Sequence, residues 1–144
     1  MPNRQLREQC EAEFENIDSV VAELFLLAKP EKSEYSVAEL AAMATFLHNF
    51  YNGVENILKR ILIATGTELK NTPTWHKDLL QTSHAAGIIS NDLYDTLSDY
   101  LSFRHYFVHA YSFTLRWAEL RPLVLGLAET LTQVKAAAND FANR

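Results

Sequence analysis

Apolar side chains recur every three or four residues along four long segments, and this period constrains the fold more than any other feature. In the first segment, over about residues 3–28, the recurring positions are Leu6, Cys10, Phe14, Ile17, Val21 and Leu24. Such spacing places one apolar stripe along a helix. A second helix is predicted to begin at Ser36, which forms a capping box with Glu39, and to end near Gly66. Gly53 lies inside it and marks either a helix crossing or the close approach of a ligand.

The rest of the chain predicts one short helix and two more long ones. The short helix covers about residues 75–86, the next runs into residues 104–111, and the last carries an apolar stripe over residues 117–134. Pro122 lies inside the last segment, and we expect a kink or break just before it. With no strand candidate, the pattern predicts an all-α protein. We expect an antiparallel up-and-down four-helix bundle with one additional short helix, built as one domain over residues 1–144.

The composition agrees with a helical fold and narrows the class of protein. Only four Gly and four Pro occur among 144 residues, which favours long uninterrupted helices. The single cysteine, Cys10, excludes an internal disulfide and a cysteine-based zinc cluster, and we interpret it as a core residue. The formal net charge of −5 argues against strong non-specific binding of nucleic acid. Any RNA contact therefore depends on a local basic patch or on an assembly.

No part of the sequence predicts membrane insertion or export. No segment approaches the roughly 18 consecutive apolar residues of a membrane span. Residues 1–10 are polar and charged, unlike a signal peptide. We therefore expect a cytoplasmic protein.

Residues 104–111, Arg-His-Tyr-Phe-Val-His-Ala-Tyr, bring one guanidinium, two imidazoles and two phenols into a segment that otherwise reads as a buried amphipathic helix. A buried polar group without a hydrogen-bond partner costs about 1–3 kcal/mol. Arg grips phosphoryl oxygens with a fixed positive fork, and His transfers protons near neutral pH. We expect the functional site here. The alternative is a chance pairing of Arg with His, in which the tyrosines are interior aromatics with a polar tip.

Helical geometry separates the two charged residues of this stretch. Arg104 and His109 are five residues apart, which is about 140° of rotation on an ideal helix. Arg104, Val108 and Tyr111 share one face, whereas His105 and His109 share another. Convergence on one phosphate therefore requires that the helix ends at His109, that the long Arg104 side chain reaches round, or that a second copy of the chain supplies the missing group.

Arg and His together suit cleavage of an RNA phosphodiester bond. A His can take the 2′-hydroxyl proton or protonate the leaving oxygen, and Arg can stabilise charge on the phosphoryl oxygens. His105 and His109 at i, i+4 are only a weak metal signal, and no carboxylate cluster has obvious magnesium spacing. We predict neither a metal site nor a cofactor.

The motif Arg104-x4-His109-x-Tyr111, late in an all-α chain, resembles the Arg-x4-6-His signature of HEPN-domain ribonucleases. It is most similar to the HepT-like toxins, whose motif continues as His-x-Tyr. Residues 50–60, FYNGVENILKR, resemble the second long helix of that family, and Trp-His-x-x-Leu-Leu resembles its short helix. The resemblance covers about residues 40–125.

This resemblance implies a metal-independent ribonuclease toxin of a type VII-like toxin–antitoxin pair. Its composite site would lie at a homodimer interface formed by the motif helix, with Arg104 stabilising the phosphate and His109 as the acid/base group. Tyr111 matches the tyrosine to which a cognate minimal nucleotidyltransferase antitoxin transfers AMP. The added charge and bulk would block the RNA path. His105 stands where the family commonly has Asn, so either His105 or His109 can be the main proton carrier.

The implied partners are an RNA substrate, with tRNA and mRNA as candidates, a second copy of the chain and the antitoxin. No DNA or membrane partner is expected. An alternative function is that of a non-catalytic helical partner of a nucleotidyltransferase that binds substrate or nucleotide, and a third is that of a plain dimerisation scaffold.

Residues outside the motif have competing interpretations. Glu55 either orients the active-site arginine from the neighbouring helix or is a solvated helix-face residue. We interpret Trp75 and His76 as closing the bundle end, and His48 and His84 as surface or hydrogen-bonded histidines. The candidates for a local basic patch are Lys59, Arg60, Arg116 and Arg121, with scattered surface charge as the alternative that we favour for Lys59 and Arg60.

Overall fold

The computed structural model describes residues 4–109, 111 and 114–143, and every regular element within these residues is a helix. The five helices are α1 (Arg4–Leu27), α2 (Val37–Ala64), α3 (Trp75–Ala85), α4 (Asn91–His109) and α5 (Trp117–Ala142). The predicted set of four long helices and one short helix is confirmed. Within the described residues, no helix is long and apolar enough to cross a membrane.

The turn signals of the sequence set the helix ends. The Oγ of Ser36 accepts the backbone N–H of Glu39 at 3.1 Å, and a carboxylate oxygen of Glu39 accepts the backbone N–H of Ser36 at 2.9 Å. The predicted capping box is therefore present. Gly66 and Gly87 follow α2 and α3 with φ angles of 80° and 75°, a left-handed conformation that favours glycine after a helix.

Neighbouring long helices run antiparallel around the bundle, in the order α1, α2, α4, α5. This follows from side-chain pairs in which residue numbers rise along one helix as they fall along the other. The pairs are Glu13 with Arg60 and Ile17 with Gly53 for α1 and α2, Arg7 with Asn143 and Asp18 with Lys135 for α1 and α5, and His48 with Phe107 and Phe50 with Tyr100 for α2 and α4.

Helices α1 and α2 cross closely at Gly53. A Cβ atom added there would lie 2.5 Å from Cγ1 of Ile17, which is far inside van der Waals contact. Glycine therefore lets Ile17 pack against the backbone of α2, and the close approach is a helix crossing. Cys10 is 5% exposed and belongs to the core, as predicted.

Of the kink or break predicted just before Pro122, the break is wrong, because α5 continues through this residue from Trp117 to Ala142. Pro122 is near the start of the helix, where its missing N–H removes a single hydrogen bond, the one that would pair with the carbonyl of Ala118. Leu120 and Val124 on either side are buried. Core packing on both sides of the proline therefore holds the helix together.

Candidate functional site

The described residues of helix α4 end at His109, and Tyr111 lies outside a helix. The prediction that Tyr111 shares a helix face with Arg104 and Val108 is therefore wrong. The rings of His105 and His109 lie 5.2 Å apart, centroid to centroid, so these two share a face as predicted. Both are exposed. Ala110 lies outside the described residues.

Arg104 faces the other way, towards α2. Its side chain is half-buried, and its Nε atom is buried without a hydrogen-bond partner among the described residues. Its positive charge acts on His48, Tyr51 and Glu55, all on α2. The structure thus divides the motif, with the guanidinium against the bundle and the two imidazoles outside.

A polar row on α2 meets Arg104. His48, Tyr51, Glu55 and Lys59 follow one another at spacings of three or four residues, so they lie along one side of the helix. Tyr51 is 1% exposed and Glu55 is 2% exposed. Few helices bury a carboxylate this deeply without a partner.

The partner of Glu55 is His76 on α3. A carboxylate oxygen of Glu55 lies 2.6 Å from Nδ1 of His76, whose side chain is only 20% exposed. Burial raises the pKa of Glu55, and the hydrogen bond from His76 and the charges of His76, Arg104 and Lys59 oppose that rise. Glu55 therefore joins α2 to α3 by a hydrogen bond and lies within reach of the charge of Arg104 on α4. We call His48, Tyr51, Glu55, His76 and Arg104 the polar cluster.

The polar cluster contains several unsatisfied groups. Within the described residues, Nδ1 of His48 and the hydroxyl of Tyr51 are buried without a hydrogen-bond partner, like Nε of Arg104. Burial and the positive charges of Arg104 and His76 lower the pKa of His48. Burial and the negative charge of Glu55 raise the pKa of Tyr51. Such a concentration of unpaired polar atoms marks a place prepared for polar ligands or water.

A cavity of about 700 Å³ lies beside the polar cluster. Trp75 and Lys59 both line it, with Nζ of Lys59 lying 3.9 Å from the centre of the Trp75 ring. Trp75 also stacks on His76, with ring centroids 3.5 Å apart. We expected Lys59 to be one of several scattered surface charges. Its ammonium group instead packs against the Trp75 ring, next to the polar cluster.

The chain turns back from α4 to α5 at Tyr111. Its side chain is 72% exposed, and its carbonyl oxygen accepts both the N–H and the hydroxyl of Thr114, at 2.9 and 2.6 Å. The hydroxyl of Tyr106 donates to the carbonyl of Thr114 at 3.3 Å. Tyr111 is thus presented to solvent just beyond His109.

The part of the chain that the structure describes contains no cluster of side chains that could bind a metal ion. No group of three or more His, Cys, Asp or Glu side chains there is arranged to hold a metal ion. His105 and His109 therefore have no third His, Cys, Asp or Glu side chain, among the described residues, placed to bind a metal ion with them.

Sequence reasoning selected Glu55 but missed its partner. His76 was interpreted as closing the bundle end and His48 as a surface or satisfied residue, yet both belong to the polar cluster. The spacing of His48, Tyr51 and Glu55 was a readable signal of one polar helix side. No local sequence pattern indicated that His76, on another helix, would approach Glu55. His84 does fit its interpretation, because its Nε2 is hydrogen-bonded to Asn91.

Comparison with known proteins assigns the chain to a class of small helical HEPN-type proteins. A family model described as HepT-like protein matches residues 42–144, which is most of the chain and includes the polar cluster and the motif. The chain belongs to the HepT-like family, a family of HEPN-type toxins. Searches of the curated proteins and of the solved structures gave no significant match.

Proposed function

We propose that this chain is a metal-independent endoribonuclease, the toxin of a toxin–antitoxin pair, working in the cytoplasm as a single HEPN-like domain. The observation that carries the proposal is the division of the motif at the end of α4. Half-buried Arg104 faces a polar cluster while His105 and His109 are exposed as a pair at the helix end. Membership of the HepT-like family supports a ribonuclease in general.

The chemistry needs a cation at the phosphate and a proton carrier beside it. The guanidinium of Arg104 has a fixed charge and free donors, suited to the oxygens of a phosphodiester as negative charge builds up. The imidazole of His109 moves a proton to or from the reacting oxygens. His105 lies beside it and supports or shares that role.

We further propose a homodimer that completes the site. Within one chain, Arg104 faces α2 while His109 is exposed on another face. A two-fold axis at this helix end would bring His109 of a second copy towards Arg104. Val108 and Tyr106, exposed apolar or aromatic residues near the helix end, would be covered in such a dimer.

The first test is cleavage by the purified chain in EDTA, followed with a fluorescent RNA. Arg104→Ala is expected to lower kcat/KM by about 10²–10³-fold, and His109→Ala by about 10²–10⁴-fold. Arg4→Ala is a matched control, because Arg4 is also an arginine but is exposed on α1, where it pairs with Glu8. Circular dichroism checks that all variants fold. Full activity in the Arg104 and His109 variants would contradict the site.

Tyr111 is proposed as the residue that receives AMP from a cognate nucleotidyltransferase antitoxin. Its exposure makes the hydroxyl reachable by a second enzyme, and a phosphate placed beyond His109 would repel RNA. Tyr111→Phe is expected to cleave RNA but to resist silencing by the antitoxin with ATP. Tyr106→Phe, which removes another exposed hydroxyl of this region, should remain silenced. If the antitoxin fully silences Tyr111→Phe, modification there is not the mechanism.

The cavity next to Trp75 favours a second candidate function. An aromatic wall with Lys59 beside it suits a nucleotide, so the chain can instead be a non-catalytic, nucleotide-binding partner of a nucleotidyltransferase. Calorimetry with ATP and AMP, set against RNA turnover by the isolated chain, separates the two. Nucleotide binding without turnover supports this second function.

A further inference from the structure

Arg104 faces imidazoles of its own chain, and they are not the imidazoles of the motif. Phe107, three residues after Arg104 on α4, packs against His48 with ring centroids 5.2 Å apart. The charge of Arg104 acts on Glu55, which is hydrogen-bonded to His76. His109 is exposed on another face of α4. A phosphate bound at Arg104 would therefore lie on the side of α4 that faces the cluster histidines of the same protomer.

His76 is the cluster histidine with a defined orientation. Glu55 is almost fully buried, and its carboxylate accepts a hydrogen bond from Nδ1 of His76 at 2.6 Å. When Glu55 is ionised, its carboxylate can only accept, so in the neutral imidazole Nδ1 carries the proton and the lone pair is left on Nε2. The Trp75 ring stacked at 3.5 Å fixes the plane of the imidazole. These three residues hold one basic nitrogen in place.

His48 lacks such an arrangement. Its Nδ1 is buried without a partner among the described residues, and its ring packs against Phe107 with centroids 5.2 Å apart. No carboxylate is hydrogen-bonded to it within those residues. Of the two histidines in the polar cluster, His76 is therefore the one prepared for proton transfer.

We infer that His76, oriented by Glu55, is a further catalytic residue: the general base that takes the 2′-hydroxyl proton of RNA bound at Arg104. This rests on the proposed function. Nε2 of His76 removes the proton, and the 2′-oxygen forms a bond to phosphorus. The P–O5′ bond breaks, and His109 gives a proton to the departing 5′-oxygen. The products are a 2′,3′-cyclic phosphate and a 5′-hydroxyl.

Glu55 is a positioning residue in this scheme. Its carboxylate keeps the lone pair on Nε2 and stabilises the positive charge that the ring gains with the proton, as the acidic residue does in a catalytic triad. Trp75 and Lys59 line the neighbouring cavity, where the phosphate of a nucleotide flanking the cleaved bond would find the positive charge of Lys59.

The first experiment measures RNA cleavage by His76→Ala and by His84→Ala. Both histidines lie on α3, but His84 is bonded to Asn91 and is outside the polar cluster. We expect kcat/KM to fall about 10²-fold or more for His76→Ala and to stay near the wild-type value for His84→Ala. Equal activity in the two variants overturns the inference.

The second experiment separates a base from an acid. In an RNA with sulfur in place of the 5′-bridging oxygen, the leaving group needs no proton. His109→Ala should recover activity on this substrate, whereas His76→Ala should remain defective. Recovery of His76→Ala to the wild-type rate would overturn its assignment as the base.

The third measurement does not depend on turnover. Nitrogen-15 NMR of the wild-type chain should show His76 with its proton on Nδ1, and Glu55→Gln should weaken that preference. A proton fixed on Nε2 overturns the inference even if RNA is cleaved. A wild-type chain that cleaves no RNA contradicts the proposed function itself, while normal cleavage by His76→Ala contradicts only the further inference.

Discussion

The polar cluster and the exposed end of α4 hold similar side chains under opposite conditions. The cluster contains two imidazoles, a carboxylate and a guanidinium, and Glu55 at its centre is 2% exposed. The exposed end, by which we mean His105 to His109 with Tyr111 beyond, has Val108 at 49% and Tyr111 at 72% exposure. The two regions are joined by one helix.

The difference shows which part of the site one chain can build. In the cluster, Glu55 and His76 hold each other across α2 and α3, and burial is the largest cause of the shifted pKa values of His48, Tyr51 and Glu55. At the exposed end, the imidazoles have water on one side, and their environment depends on what binds there. The cluster is therefore assembled within one chain, whereas the exposed end is open to a second molecule.

The largest expected stability effect comes from a matched pair of truncations on α4. Leu97 is fully buried, so Leu97→Ala should lower the free energy of unfolding by about 2–5 kcal/mol. Val108 is half exposed, so Val108→Ala should change it by no more than about 0.5 kcal/mol. Urea unfolding at low protein concentration measures both.

Measurements at several protein concentrations extend the comparison of Leu97→Ala with Val108→Ala to self-association. If a second copy covers Val108, Val108→Ala should weaken self-association, which analytical ultracentrifugation detects. A loss for Val108→Ala as large as that for Leu97→Ala, at concentrations where the chain is monomeric, would show that the helix end is buried in the monomer.

Removing one tyrosine hydroxyl from the core and one from the exposed end is expected to change stability by a smaller amount. The hydroxyl of Tyr100 is buried and donates to the carbonyl of Leu123 at 2.6 Å, whereas that of Tyr106 is exposed and donates at 3.3 Å. Tyr100→Phe should cost about 1 kcal/mol of stability, and Tyr106→Phe no more than about 0.5 kcal/mol. Thermal unfolding followed by circular dichroism compares them. Equal losses would mean that burial does not decide the strength of these bonds.

The smallest effect, and the most specific one, is the pH dependence at Glu55. A carboxyl whose pKa is raised in the folded state is harder to ionise there than in the unfolded chain, so its ionisation destabilises the fold as pH rises through the folded pKa. Glu55→Gln stays neutral. Its stability relative to wild type should therefore increase from pH 4 to pH 7, although its activity falls.

Glu39→Gln is the matched control for that measurement. The hydrogen bond from Lys32 lowers the pKa of Glu39, so the charged form is favoured in the folded state. Its stability relative to wild type should decrease over the same pH range. Urea unfolding at several pH values gives both slopes, and equal slopes for the two variants would contradict the burial of the Glu55 charge.

Much of the fold could be predicted from local patterns. The apolar stripes, the capping box at Ser36 and the glycines after α2 and α3 each act within a few residues, and the structure confirms them. Pro122 is the exception, because its local preference was outweighed by packing against the core. Cooperative burial of Leu120 and Val124 exceeds the cost of one missing hydrogen bond.

By itself, the sequence determined the helices, their buried faces and the separation of Arg104 from His109, since these follow from helical periodicity. Only the tertiary structure decided that Arg104 faces α2 and that Glu55 pairs with His76, 21 residues along the chain. The physical reason is that a hydrogen bond between helices depends on how they cross and rotate, which no local pattern records. Desolvation by the assembled core then sets the protonation chemistry of the cluster.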